Sequence, residues 1–446
     1  MENWRQRDLS VLWHPCTQMQ EHLDGAPLVA IARGEGAWLV GADGKRYLDA
    51  VSSWWTNLFG HANPRIAAAI TKQAHTLEHV ILAGFSHQPA LRLAERLVKL
   101  APPGLRRVFF ADNGSAAVEV ALKMSYHAHL NGGDGRRDRF VALENGYHGE
   151  TLGALAVTDI PLYRRTYAPL MMQPLFAPSP DAYLAAPGED AEQRAERAAQ
   201  ALAELFAREG ERIAALIVEP LVQCAGGMRM HHPRYLRRAR ELCDAHGVHL
   251  IADEIAVGFG RSGTLFACEQ AAITPDLMCV SKGITGGFMP LSAVLATEAI
   301  YARFLDPRRE RGFLHSHSYS GNPLACAAAL AVLDIFEDED VIIRNRATAA
   351  AMARHADALA GHPHVADIRQ TGMILAFELA ADGPGRTPFP AAQRRGQRAY
   401  LHALEHGVVL RPLGDVLYWM PPYCVDADDL AHLARVTVGA VQAATR

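Results

Sequence analysis

The sequence predicts an α/β protein: a large domain with a mostly parallel central sheet covered by helices, joined to a smaller α+β domain. Three observations predict it. Short, nearly continuous apolar runs recur between residues 107 and 281 as "RVFFA", "RFVALE", "AALIVEP", "VHLIADE" and "DLMCVS". Segments with apolar residues at helical spacing stand between several of them, the pattern of parallel strands buried on both faces. After "GNPLACAAALAVLDIF" the texture changes to strand-like stretches separated by helices and a Pro/Gly-rich loop. A chain of 446 residues also exceeds the usual size of one domain.

Taken in order, residues 1–60 read as an irregular N-terminal segment that joins the small domain. They contain one hairpin, "GEGAWLVGADGKRYLDA", whose D-G turn separates two apolar stretches. The large domain is expected over residues 61–330. Its first helices are "PRIAAAITKQAHTL" and "QPALRLAERLVKL". "SAAVEVALKMSYHA" follows the first apolar run, and "PRYLRRARELCDAHG" precedes "VHLIADE". "PGEDAEQRAERAAQALAELFAREGER" reads as a loop and then an exposed, charge-patterned helix. Residues 331–446 form the expected small domain, with strands in "TGMILAFEL", "GVVLRPL" and "DVLYWMPP".

Composition narrows the function. A net charge of −4 leaves no basic footprint for nucleic acid. No apolar run is long enough to span a membrane, and "MENWRQRDLS" lacks the apolar core of a secretory signal. The seven cysteines are odd in number and none is spaced C-x-x-C. They read as reduced thiols of a cytoplasmic protein. His315 and His317 in "HSHS" lack a nearby third ligand, so no metal is expected there.

In a parallel α/β sheet, ligands bind beyond the carboxyl ends of the strands. After "RVFFA" come Asp112, Asn113, Gly114 and Ser115 at a helix start. Unpaired amides there suit an anion, although an ordinary turn with an N-cap gives the same sequence. After "VHLIA" comes Asp253, a carboxylate at the end of an apolar strand. It needs a cationic or hydrogen-bonding partner, and a structural ion pair with Arg261 is the plain alternative. After "DLMCV" comes Lys282, either a solvated loop residue or a desolvated, nucleophilic amine. A P-loop is excluded, because its glycines precede the lysine and here they follow. Those glycines would leave room for ligand exchange. Together, an anion cup, a carboxylate and a lysine on strand ends suit pyridoxal 5′-phosphate. That cofactor needs a phosphate site, an amine for a Schiff base and an acid partner for its ring nitrogen.

At these residues the chain resembles the class III aminotransferases of fold type I. The motifs are "LIADEIAVGFGRSGTLFACE", Lys282 in "SKG" 29 residues after Asp253, "IVEPLVQCAGGM" and "GNPLACAAAL". "LWHPCTQM", "DAVSSWWTNLFGH", "NGYHGETLGALAV" and "LRPLGDVLYWMPPY" narrow the resemblance to the branch of biotin biosynthesis. The resemblance implies transamination of 8-amino-7-oxononanoate to 7,8-diaminononanoate, with S-adenosylmethionine as amino donor. By it, Lys282 bonds the cofactor and moves the proton, Asp253 contacts the ring nitrogen, and Gly114 and Ser115 bind the phosphate. Tyr147 covers the ring and borders the substrate. Trp54 and Trp55 line the substrate cavity, and Arg411 holds the substrate carboxylate. Strand alternation would let only one of the tryptophans, Trp54, face substrate, with core packing as the alternative for the pair. An ion pair at the surface is the alternative for Arg411. The loop of Ser316, His317 and Ser318 reaches across a homodimer, with Ser316 toward substrate and His317 and Ser318 toward cofactor. Cys16 and Arg261 are candidate substrate-positioning residues.

Two departures bear on the donor. Many members have tyrosine where this chain has Cys16, and "HGPTFMGNP" where it has "HSHSYSGNP". Related enzymes with a similar loop include some that use lysine as donor. Other class III enzymes act on ornithine, 4-aminobutyrate or a diamine, against which "SSWW" and "RPLG" argue. The absence of G-x-G-x-x-G after the first strand argues against a nucleotide-dependent oxidoreductase. The presence of both Lys282 and Asp253 argues against a non-catalytic binding protein.

Overall fold

The computed structural model describes residues 4–446. Its central sheet has seven strands, numbered here in chain order: β1 Leu105–Ala111, β2 Arg139–Leu143, β3 Leu175–Ala177, β4 Ile213–Val218, β5 His249–Asp253, β6 Leu277–Val280 and β7 Ser292–Thr297. Their spatial order is β1-β7-β6-β5-β4-β2-β3. All run parallel except β7, which lies antiparallel between β6 and β1. Every residue of β4 and β6 is buried, which is why these strands read as unbroken apolar runs. The sequence reading missed β3 and β7. The first is only three residues long, and the second returns beside β6 after a single short 3-10 turn, Lys282–Thr285, with no α-helix between to announce it.

Helix Gly114–Asn131 follows β1 and packs against β6 and β7. Arg234–His246 precedes β5 and ends on Gly247 in the left-handed conformation, the usual glycine stop. Helix Ala191–Glu209 begins with a capping box on Asp190 and Gln193. The expectation that it is an exposed helix needs correcting. Its Ala195, Ala199, Leu202 and Phe206 are buried, so only the opposite face is solvated.

The predicted hairpin forms from Trp38–Gly41 and Arg46–Asp49. Its second strand pairs in parallel with Val408–Val409 from near the other end of the chain. A separate antiparallel sheet joins Val365–Thr371, Ile374–Leu379 and Val416–Trp419. One apolar cluster accordingly combines Ala37, Leu48 and Ala50 with Leu375, Trp419 and Leu433. Among the described residues no helix is long and apolar enough to cross a membrane.

Candidate active site

The carboxyl ends of β1, β5 and β6 open into a cavity of about 1040 Å³. Asp253 and Cys279 lie opposite each other in adjacent parallel strands, so Asp253 and Lys282 leave the sheet side by side. Gly114, Ser115, Tyr147, Asp253, Lys282, Trp54, Trp55, Arg411 and Cys16 all line this one cavity.

Asp253 is buried at 4 % exposure and meets His148, whose Nδ1 lies 2.7 Å from its Oδ2. Its Oδ1 accepts from the Ile255 amide at 3.1 Å. The proposed ion pair with Arg261 is not formed. The Arg261 side chain is fully buried and donates to the carbonyls of Pro421 (2.6 Å) and Asn57 (2.9 Å), with its guanidinium 4.8 Å from the Tyr423 ring. Arg261 is outside the cavity lining and clamps backbone from distant parts of the chain. Three carbonyl and ring contacts replace a carboxylate there, which the spacing in "DEIAVGFGR" could not reveal.

Lys282 is half-buried and open to the cavity. Desolvation by the surrounding walls holds its ammonium below the ordinary lysine range, against the opposing pull of Asp253, Cys224 and Glu219. Its Nζ lies 5.2 Å from the centre of the Trp55 ring. The glycines that follow do not leave open space. Gly287 has φ of +90°, and a Cβ there would come within 3.1 Å of the Asn57 backbone. They allow the turn after Lys282 to lie against the segment that follows the tryptophans.

At the helix start, the Asn113 side chain caps the Ala116 amide at 3.0 Å. Among the described residues no protein group accepts from the Gly114 or Ser115 amides. The cap is therefore formed on the Ala116 amide, and the Gly114 and Ser115 amides remain free to meet an anion. Ser115 Oγ meets Thr151 Oγ1 at 2.7 Å and accepts from the Thr151 amide at 3.0 Å. Tyr147 donates from its hydroxyl to Glu150 at 2.9 Å, and its amide donates to Glu219 at 2.9 Å. Burial, reinforced by Glu150, pushes the Tyr147 phenol far up, so it stays protonated.

Trp54 and Trp55 are not on a strand. Ser52, Ser53, Trp54 and Trp55 all have positive φ and form one left-handed turn. The turn, rather than strand alternation, separates the two rings. Trp55 is buried and donates from Nε1 to the Tyr418 hydroxyl at 3.0 Å. Trp54 is 38 % exposed, with the Arg411 guanidinium 4.4 Å from its ring centre. No carboxylate pairs with Arg411 among the described residues, so the surface ion pair is not formed and the cation remains available. Cys16 lies 3.6 Å from the Tyr163 hydroxyl, on the same cavity wall.

Ser316, His317 and Ser318 do not line the cavity within one chain. Ser316 and Ser318 are exposed. His317 lies 3.4 Å from Asp112 and 3.1 Å from His315, which in turn meets Lys123 at 2.8 Å.

The sequence reading missed His148, Glu219, Glu150 and Tyr163. Glu219 was within its reach, since it follows the end of β4 much as Asp253 closes β5. It is buried, accepts from the Tyr147 and Cys224 amides, and burial pushes its carboxyl up to about 7. His148 and Tyr163 come from loops whose side-chain directions only the packed fold sets.

The class-III aminotransferase family model matches residues 19–440. The chain belongs to the class III aminotransferases. This aminotransferase is 44 % identical over 99 % of its length, and 82 % of the relative's, to adenosylmethionine-8-amino-7-oxononanoate aminotransferase of Nitratidesulfovibrio vulgaris. It superposes on the crystal structure of the enzyme of that name from Methanocaldococcus jannaschii with TM-score 0.92 and 34 % identity, covering 98 % of each chain. An omega transaminase from Pseudomonas jessenii in complex with PMP matches with TM-score 0.95 and 30 % identity, over 99 % of this chain and 98 % of that one. Class III aminotransferases depend on pyridoxal phosphate, and the residues of this aminotransferase fit that group. The uncommitted Gly114 and Ser115 amides suit its phosphate, Asp253 offers a buried carboxylate, and Lys282 offers a desolvated amine.

Proposed function

We propose that this aminotransferase holds pyridoxal 5′-phosphate on Lys282 and converts 8-amino-7-oxononanoate to 7,8-diaminononanoate in biotin biosynthesis, with S-adenosylmethionine as amino donor. The observation that carries the reading is one cavity with Lys282 and Asp253 at adjacent strand ends and an uncommitted arginine, Arg411, stacked on Trp54. When bound, the cofactor supplies an aldehyde that exchanges amines and a ring that accepts electrons from the substrate carbon.

The protein's own groups do the rest. Lys282, with its ammonium destabilised, carries a larger neutral fraction than a free lysine. It can condense with a carbonyl with loss of water and, once displaced by a substrate amine, can take a proton from the substrate carbon as base and deliver one as acid. Asp253, oriented by His148, places negative charge where a protonated ring nitrogen needs it. Gly114 and Ser115 would hold the phosphate. Tyr147 would cover the cofactor, its phenol held by Glu150. Arg411 offers a charge-assisted fork to the remote carboxylate, and Trp54 offers apolar surface to the chain. Donor and acceptor use the cavity in turn, so ping-pong kinetics follow.

Lysine as donor is the second reading, favoured by Cys16 on the cavity wall and by the "HSHSYS" loop. The same proposal divides the chain into an N-terminal segment (1–60), a cofactor-binding domain (61–330) and a small domain (331–446). It places a homodimer in the cytoplasm, with the loop of Ser316, His317 and Ser318 directed to a second copy. Exposed Leu314 and Tyr319 on that loop support an intersubunit position.

One experiment tests the chemistry. Yellow holoenzyme is mixed with S-adenosylmethionine or with lysine, and bleaching identifies the donor. Subsequent addition of 8-amino-7-oxononanoate should restore the colour. Borohydride reduction of the starting enzyme should leave the cofactor mass on Lys282. Attachment to another lysine, or no recovery with this acceptor, overturns the proposal.

A further inference from the structure

The backbone that carries Trp54 is strained. Ser52, Ser53, Trp54 and Trp55 have φ of 50°, 46°, 71° and 73°. Left-handed backbone is unfavourable for an L-residue, so four in succession persist only where their surroundings over-determine them.

A polar cluster around the buried Asp49 supplies that constraint. Ser52 Oγ donates to the Met420 carbonyl at 2.7 Å. Ser53 Oγ donates to Asp49 Oδ2 at 2.8 Å, and His61 Nε2 lies 3.0 Å from the same oxygen. Asn57 Nδ2 lies 3.0 Å from His61 Nδ1. An amide nitrogen can only donate there, which leaves the imidazole proton on Nε2, pointing at Asp49. Asp49 is fully buried, so its carboxylate depends on these donors.

Asp49 also ends the strand Arg46–Asp49, where it pairs in parallel with Val409. Arg411 follows two residues later. One strand pair therefore fixes both members of the Trp54–Arg411 stack: Arg411 through the backbone of Val409, and Trp54 through the Asp49 carboxylate.

We propose that Asp49, Ser53 and His61 form a brace that positions Trp54 against Arg411 and so sets recognition of an acceptor bearing a remote carboxylate. The proposal rests on the reading that the Trp54–Arg411 end of the cavity receives the acceptor. These are positioning residues. They act through Trp54 and Arg411 and do not line the cavity themselves.

The test uses Ser53→Ala and His61→Phe in the holoenzyme, with two readouts. The first is hydrogen exchange of the Trp55, Thr56 and Asn57 amides, which bond back to Val51 and Ser52. It should accelerate about tenfold in Ser53→Ala. The second is steady-state kinetics. The KM for 8-amino-7-oxononanoate should rise about tenfold while kcat stays within about twofold. Unchanged exchange in both variants overturns the brace. Faster exchange with an unchanged acceptor KM overturns its positioning role, as does an equal fall in kcat for every substrate. If the wild type does not turn over 8-amino-7-oxononanoate, the acceptor reading fails, and the exchange result still decides the brace. Should His61→Phe fail to fold, Ser53→Ala carries the test alone, since it removes one hydroxyl.

Discussion

Lys282 has two physical features that its sequence position only partly implied. Its backbone is left-handed, with φ of +43°, and its ammonium is desolvated by the cavity walls. Only the neutral amine attacks an aldehyde, and desolvation moves the charged-to-neutral transition to lower pH. The rate at which apoprotein takes up pyridoxal phosphate should therefore rise with pH and level off below the ~10.4 of a free lysine. Stopped-flow absorbance across a pH series measures this, and a rate still climbing at that value would contradict it. Arg411 is the complementary case. It lacks a protein carboxylate among the described residues, so its truncation should fall mainly on the acceptor. A charge-assisted bond worth about 1.5–3 kcal/mol predicts that Arg411→Ala raises acceptor KM roughly tenfold to hundredfold. Donor bleaching of the same variant serves as the control. Both residues were legible in the sequence, because each stands beside an apolar strand or family motif. Their partners were not. His148 reaches Asp253 across 105 positions, and Trp54 reaches Arg411 from the far end of the chain.

At the scale of elements, the site depends on close approach between segments. Gly149 has φ of +125°, and a Cβ there would come within 2.4 Å of Ser115 Oγ. The "NGYHG" loop can lie against the helix start at Ser115 only because this position is glycine. Gly149→Ala should cost about 1–3 kcal/mol and weaken cofactor retention, read as a lowered Tm and a raised Kd. An alanine variant with wild-type Tm and Kd would remove that constraint. The same scale shows why part of the fold was legible. β4, β5 and β6 are buried on both faces, so the sequence had to be apolar there. The Ser52–Trp55 turn was misread as strand because β propensity counts its aromatic residues and is blind to the hydrogen bonds its serines donate to the Asp49 carboxylate and the Met420 carbonyl. Arg261 was misassigned for a related reason. Its acceptors are backbone carbonyls at residues 57 and 421, which carry no side-chain signal.

For the whole molecule, a second copy is the remaining element of the proposed function. Ile81, Phe85, Leu314 and Tyr319 are exposed large apolar side chains, and the His79 ring sits 5.0 Å from Tyr319, which joins the two loops at the surface. Sedimentation at micromolar concentration should give twice the 48.6 kDa of the chain. A monomer that retains full activity would refute the intersubunit loop. The sequence by itself determined five of the sheet's seven strands, the hairpin, the family and the lysine–aspartate–glycine set. Each is encoded by local pattern: burial demands apolar residues, a D-G turn needs its glycine, and strand-end chemistry follows short runs. Only the tertiary structure decided which side chains meet. It gave Asp253 a histidine instead of Arg261, stacked Arg411 on Trp54, and packed the glycines after Lys282 against the segment that follows Trp55. Those choices turn on distances between residues far apart in the chain, which close packing sets and local sequence does not carry.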